Sequence, residues 1–283
     1  MTTTTRPFIK TANTTMSMMF LVLLSLLPAA GVGIYHYGLH AALLIVVSLV
    51  SAVGFELLFE LCLHRPVTIA DYSAAVSGMV LGLILPPSAP LYFPVIGSAV
   101  GILLCKMLPG GIGKNLLNPA LAGKLVLVLA FREQMNDFSA NGISMLTPLT
   151  QLAAGNTISP GDMLTGRVAA DIGTGCTLAV LAAALFLLLT GISDLMIPAG
   201  CFLSFTLLLI LLGRHGWNPV FLAAQYMGGS FLFTVFIMAQ DHTTRPLTRK
   251  GRFLYGLGLG AAIAALRLLG YVEDAAVFAL VAM

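Results

Sequence analysis

Charge is what this sequence has least of. Only 9% of its 283 residues are Asp, Glu, Lys or Arg, against about 25% in an average soluble domain, which excludes a water-soluble globular enzyme. The small positive balance, 14 Lys and Arg against 11 Asp and Glu, is scattered along the chain. No basic stripe exists to follow a nucleic acid backbone. Cysteine is scarce as well. Cys62, Cys105, Cys176 and Cys201 lie far apart in or beside apolar runs, with no C-x-x-C pair, so the chain offers no iron–sulfur motif and no zinc site of its own. After the opening Met1-Thr2-Thr3-Thr4-Thr5-Arg6 the first apolar run lacks a small-residue cleavage site, and it reads as a retained helix.

What fills the space is hydrocarbon: 58% of the residues are hydrophobic. A bilayer core of about 30 Å takes roughly 20 apolar residues per helix, fewer where a span is broken. On that rule spans run at about 17–35, 41–63, 71–85, 91–108, 116–131, 171–191, 195–212, 217–239, 252–269 and 272–283. The expectation is an all-α polytopic membrane protein of about ten transmembrane helices. It forms one integral membrane domain over 1–283, with a first half at about 17–131, a polar loop at 132–170 and a second half at 171–283.

Lys and Arg set the orientation. With the N-terminus cytoplasmic, Arg6, Lys10, Arg65, Lys106, Lys114, Arg245, Arg249, Lys250 and Arg252 fall inside, while Arg132, Arg167, Arg214 and Arg267 fall outside. Both termini are then cytoplasmic, and the polar loop faces outward. Five spans on either side of that loop predict two inverted halves. Gly-interrupted segments at similar places in each, Ser77 to Gly82 and Met227 to Ser230, agree with an inverted repeat and a site between the halves. Close helix packing through small residues is the other explanation for those glycines.

Several polar positions stand out. Gly110-Gly111-Ile112-Gly113-Lys114-Asn115 is not a phosphate loop, because the spacing puts Leu108 where a Gly and Asn115 where a Ser or Thr belongs. Asn115 and Asn118 stand beside Pro119 at a helix start, where free backbone N–H groups suit an anionic or carbonyl-bearing ligand. His36 and His40 read as interfacial histidines, and His64, His215 and His242 sit too close to span ends for paired haem ligands. Glu56 lies within hydrocarbon and Lys124 within the fifth span, which makes both ion-pathway candidates. Glu60 is expected at the headgroups. Lys124 and Arg267 are placed to neutralise buried acids or a ligand anion, with snorkelling the competing account, stronger for Arg267.

The polar loop is long, and long loops are uncommon without a function. Thr147 precedes Pro148, which biases it toward extended backbone and places its hydroxyl at the start of a new element. Taken alone, this reads as an ordinary Ser/Thr turn.

Three blocks in order carry a resemblance. Gly110-Gly111-Ile112-Gly113-Lys114-Asn115-Leu116-Leu117-Asn118-Pro119-Ala120 closely resembles the Gly-Gly-x-Gly-Lys/Gln-Asn-x-Phe/Leu-Asn-Pro-Ala signature of the D subunits of Rnf electron-transport complexes, shared with the B subunits of the sodium-pumping NADH:quinone reductase. Gly142 to Leu149 is similar to that family's flavinylation segment, and Met238 to Thr244 through Lys250-Gly251-Arg252 to its Thr-Asp-Pro-bearing loop. The resemblance implies a ten-helix subunit of the bacterial inner membrane that carries FMN through a phosphoester on Thr147. Ser144 and Pro148 would flank it, Asn115, Asn118, Lys114 and Asp241 would serve as further cofactor-binding residues, and a non-covalent riboflavin is possible within the family. It further implies a flavin transferase that needs an accessible extended loop, the A and E membrane subunits, the flavoprotein G subunit, and the cytoplasmic B and C subunits of such a complex. The flavin supplies one- or two-electron transfer and the protein its position, with coupling to Na+ or H+ movement. Departures are local: Asn141 stands for Asp, Met145-Leu146 for a small pair, Gln240-Asp241-His242 for Thr-Asp-Pro, and Gly173-Thr174-Gly175-Cys176 for Gly-Glu-Thr-Ser. A reading of another class is a small-solute transporter or channel in which the repeat forms the pore.

Overall fold

The structure, a computed structural model, describes residues 14–115, 117–139, 146–155, 159–213, 217–270 and 273–283. Among them no strand occurs, as befits a chain whose backbone polar groups must be satisfied without water. The first half contains α1 (Thr15–Tyr37), α2 (Leu39–Cys62), α3 (Ser73–Leu83), α4 (Tyr92–Ser98, continued as a π-helix over Ala99–Met107) and α5 (Pro119–Ala130). Three short helices, α6 (Arg132–Met135), α7 (Pro148–Ala153) and α8 (Pro160–Thr165), lie in the polar loop. The second half holds α9 (Thr177–Leu189), α10 (Met196–Leu212), α11 (Pro219–Met227), α12 (Phe231–Phe236), α13 (Arg249–Leu268) and α14 (Ala275–Ala282).

Every expected span contains a helix, yet among the described residues only α1, α2 and α13 are each long and apolar enough to cross a bilayer. The bent pair Pro219–Met227 and Phe231–Gln240 makes up to four. The helices of the third, fifth, sixth and tenth windows are shorter than the windows themselves. α3 is 11 residues, roughly 16 Å at 1.5 Å per residue.

The two Gly-interrupted segments behave differently. Gly78 and Gly82 leave α3 unbroken and let it lie against Ser48 and Ile45 of α2. At Gly228-Gly229 the second segment does break, with a bend of 60° and a left-handed Gly229 (φ 62°) that a side chain would strain.

A helix that stops inside the bundle leaves carbonyls to satisfy, and in each half a basic side chain supplies a donor. Lys124 Nζ donates to Ile84 O at the end of α3, at 2.7 Å. There the 171–173 segment adds Ile172 N to Leu85 O and Gly173 N to Leu83 O, at 3.0 and 2.7 Å. Arg267 donates to Gln225 O and, at 2.9 Å, to Gly228 O at the break after α11. Its guanidinium also lies over the rings of Phe205 and Phe231, 5.3 and 5.7 Å from their centres. Arg267 therefore does not snorkel: it is 6% exposed, and the broken helix holds it in place.

One apolar core runs through both halves, from Leu26 and Leu44 to Phe93, Phe205 and Phe231. α1 packs on α9 across the two halves, and α10 lies along α13. α5 crosses the π-helix so closely that a Cβ on Gly101 would sit 2.1 Å from Pro119 O, inside any allowed contact distance.

Candidate functional site

Two polar clusters occupy opposite ends of one set of elements. α3, α5, α9 and α12, with the turns that adjoin them, contribute residues to both. At the first, Asn118 has extended backbone and its side-chain oxygen caps α5 by accepting from Ala120 N at 3.1 Å, with Pro119 in the first turn. The amide nitrogen of Asn118 donates to Asp241 Oδ2 at 3.3 Å. Asn115, Asn118 and Asp241 thus line one cleft.

The cleft is lined mainly by Met19, Val76, Val80, Leu187, Ile237 and Met238. Asn115 Oδ1, Ser193 Oγ and Thr243 Oγ1, of residues that line it, have no hydrogen-bond partner among the described residues. An apolar slot with a few unmet polar atoms suits a planar, mixed-polarity ring. Lys114 is exposed and does not line the cleft.

Lys106 also reaches the cleft. The charge tally treated it as a loop lysine at the cytoplasmic face; instead it is 1% exposed, with Nζ 2.5 Å from Glu56 Oε1 and 2.6 Å from Ser73 Oγ. Glu56 is thereby held in an ion pair. Glu60 is likewise buried in the protein: it is 1% exposed, and the returning chain gives it the Thr68 N–H at 3.1 Å and the Thr68 hydroxyl at 2.5 Å. Without Lys106 and Arg267 the charge tally keeps its sign. His36 and His40 turn their Nε2 atoms to separate carbonyls, Thr165 O and Ala89 O.

At the other cluster Thr147 is extended (φ −67°, ψ 159°) and caps α7, whose first turn opens with the buried Pro148. Its hydroxyl meets Thr150 Oγ1 at 3.0 Å and donates to the carboxylate of Glu273. The element start expected from Thr147-Pro148 is present. The accessibility is not: Thr147 is 3% exposed, because cap and carboxylate turn the side chain inward. Leu146 before it is 52% exposed. Ser144 lies outside the described residues.

Beside Glu273, Lys124 Nζ stands 2.6 Å from Asp171 Oδ2 and 4.0 Å from Asp274 Oδ1. Lys124 thus neutralises a buried acid. Asp171, Glu273 and Asp274 escaped the sequence reading, although acids at the edges of the sixth and tenth apolar windows were signal enough.

With this geometry in place, comparison with known proteins decides the family. The profile of the NQR2, RnfD, RnfE family matches residues 2–283. This chain belongs to the NQR2, RnfD, RnfE family. Within it, the D subunit of the Na(+)-translocating ferredoxin:NAD(+) oxidoreductase complex of Acetobacterium woodii is 33% identical over 279 residues, 95% of this chain and 86% of its own. The D subunit of the proton-translocating ferredoxin:NAD(+) oxidoreductase complex of Clostridium ljungdahlii is 28% identical, covering 100% of this chain and 91% of its own. The B subunit of the Na(+)-translocating NADH-quinone reductase of Ectopseudomonas mendocina is 34% identical over 209 residues, 68% of this chain and 52% of its own. The residues that carried the resemblance therefore sit in a family match that spans the chain, and two of its three blocks, around Asn118 and Asp241, meet in one cleft.

Proposed function

We propose that this chain is the D-type membrane subunit of an ion-translocating ferredoxin:NAD(+) oxidoreductase complex, an enzyme that works only as an assembly. The observation that carries the reading is the match over the full chain to relatives of that name, with 95% of the chain covered by the Acetobacterium woodii protein. In this reading the chain crosses the bacterial inner membrane about ten times, with both termini cytoplasmic and the Thr147 end outside. Its neighbours are the A and E membrane subunits, the flavoprotein G subunit and the cytoplasmic B and C subunits.

FMN would be attached to Thr147 by a flavin transferase. The extended backbone and the exposed Leu146 fit such a modification. The inward side chain does not, since a phosphoester on that oxygen would face the Glu273 carboxylate. Attachment therefore requires Thr147 to leave Glu273 and turn outward. A second, non-covalent flavin of the riboflavin type would occupy the Asn115–Asp241 cleft, where the unmet oxygens of Asn115, Ser193 and Thr243 offer it polar contacts. Bound flavin supplies one- or two-electron transfer; the chain's residues position it and exclude water.

In-gel ultraviolet fluorescence of the chain expressed with its flavin transferase tests the reading. A band that disappears in Thr147→Ala supports it, and a band of equal strength in the variant rejects Thr147 as the anchor. No covalent flavin together with solute uptake by the isolated chain would favour the transporter reading, which draws on the same broken helices.

A further inference from the structure

α3 and α11 both end, carboxyl end first, at a small cavity whose polar lining is Lys124, Asp171, Thr174, Ser230, Glu273 and Asp274. The carboxyl ends of broken helices carry partial negative charge and are where membrane proteins place cations. Here Lys124 and Arg267 already take the freed carbonyls. The charges around them do not balance. Three carboxylates, Asp171, Glu273 and Asp274, face two buried bases, Lys124 and Arg267. Arg132, the remaining base facing Asp274, is exposed, and solvent screens it. With all three ionised, one negative charge is left over in a largely buried site, where an unpaired charge is costly.

The lining also lacks ligands for its own atoms. Among the described residues Asp171 Oδ1, Thr174 Oγ1 and Ser230 Oγ have no hydrogen-bond partner, and these residues are 6%, 5% and 2% exposed. A proton on one carboxyl would cancel the charge yet leave the two hydroxyl oxygens unmet. A hard cation satisfies both deficits, because carboxylate and hydroxyl oxygens are the ligands such ions prefer. Among the described residues no three His, Cys, Asp or Glu side chains are grouped to hold a metal ion, and the surplus is a single charge.

We propose that this cavity binds one monovalent alkali cation through Asp171, Thr174 and Ser230, with Glu273 and Asp274 supplying the field. The site is a property of the chain and does not need the flavin; its use in ion translocation rests on the function proposed above.

The test uses the purified full chain in detergent, expressed without the flavin transferase. Thermal unfolding is followed while NaCl replaces choline chloride at constant ionic strength, with KCl and LiCl series alongside. Ligand binding to the folded state raises the midpoint with concentration. The expected result is a saturable rise with sodium and none with choline. In Thr174→Val/Ser230→Ala the half-saturating concentration increases roughly ten- to hundredfold, the scale of losing supporting oxygens at a metal site, while the sodium-free midpoint stays near the parent's. Asp171→Asn abolishes the response. Should that variant fail to fold because Lys124 is left unpaired, the hydroxyl variant decides alone. A sodium response unchanged in the hydroxyl variant, a rise common to every salt, or a rise produced only by lowering pH at any sodium concentration would overturn the site. Flavin fluorescence on separately modified chain keeps the two readings apart: a sodium response with no flavin on Thr147 leaves the cation site standing without the carrier.

Discussion

The hydroxyl of Thr147 donates to the carboxylate of Glu273, joining the polar loop to the turn before α14 across 126 positions of sequence. The same oxygen accepts from Thr150 N at 3.3 Å, so one atom both caps α7 and fastens it to the second half of the bundle. For the flavin attachment proposed above, Thr147 would have to leave this contact first.

Thr147→Ala removes cap and tether together. Loss of an N-cap of this type costs about 1 kcal/mol, and the effect is local. Hydrogen exchange at the amides of Thr150 and Gln151 should speed several-fold, with exchange in α10 and α13 unchanged. Uniform acceleration across the chain would show that Thr147 supports the whole fold.

The Glu56–Lys106 pair is buried on both sides. Removing one partner leaves the other charge unpaired, at a cost of about 3–5 kcal/mol. Glu56→Gln and Lys106→Met should each lower the unfolding midpoint in detergent substantially, and Glu56→Leu/Lys106→Met should recover most of the loss. If the double variant is as unstable as the sum of the singles, the two charges do not act as a pair.

Gly101→Ala places a methyl group 2.1 Å from Pro119 O. α5 must move off the π-helix, and Asn118 moves with it. Overpacking of this kind costs typically about 1–3 kcal/mol. The cleft wall should change as well, read as altered riboflavin binding by fluorescence quenching. A variant with unchanged midpoint and quenching would mean that the crossing is looser than described.

Asp194, between α9 and α10, bonds Arg252 at the start of α13. Partial burial pushes its carboxyl upward; the Arg252 hydrogen bond, the Met196 amide and the charges of Arg252 and Arg245 outweigh that and hold it below its ordinary 3.8. A carboxyl depressed on folding contributes stability above its unfolded pKa and loses it as pH falls through the folded value. The contribution is therefore full at pH 5 to 7 (roughly, given an ordinary Asp near 3.9) and fades only below about 4. Because the pair is partly exposed, its size is at most about 1 kcal/mol. Asp194→Asn should lower the midpoint slightly at pH 7 and flatten its fall below pH 4; an unchanged acid limb would remove Asp194 from the account.

Composition and hydropathy were enough to read the all-α membrane class and to place a helix in every expected span. The Asn118-Pro119 start and the Thr147-Pro148 start were legible because Asn and Thr before proline leave little choice of backbone. What stayed hidden was long-range pairing. Nothing in the local sequence ties Lys106 to Glu56, Lys124 to Asp171 or Thr147 to Glu273, each separated by 47 or more positions. Arg267 stayed between neutralising a buried acid and snorkelling for the same reason: its partners are the carbonyls of a break 39 to 42 residues away. A basic residue near a span end looks like a snorkeller until the broken helix that holds it is seen.

The central claim is that Thr147 carries the flavin, and the mass of its own peptide tests that claim most directly. Chain co-expressed with the flavin transferase is digested, and fragment masses across Leu146 to Gln151 are measured. The account predicts one FMN phosphoester mapped to Thr147 and none on that residue when the transferase is omitted. An unmodified Thr147 beside a modified Thr150, or no flavin on this segment in a working complex, would contradict it.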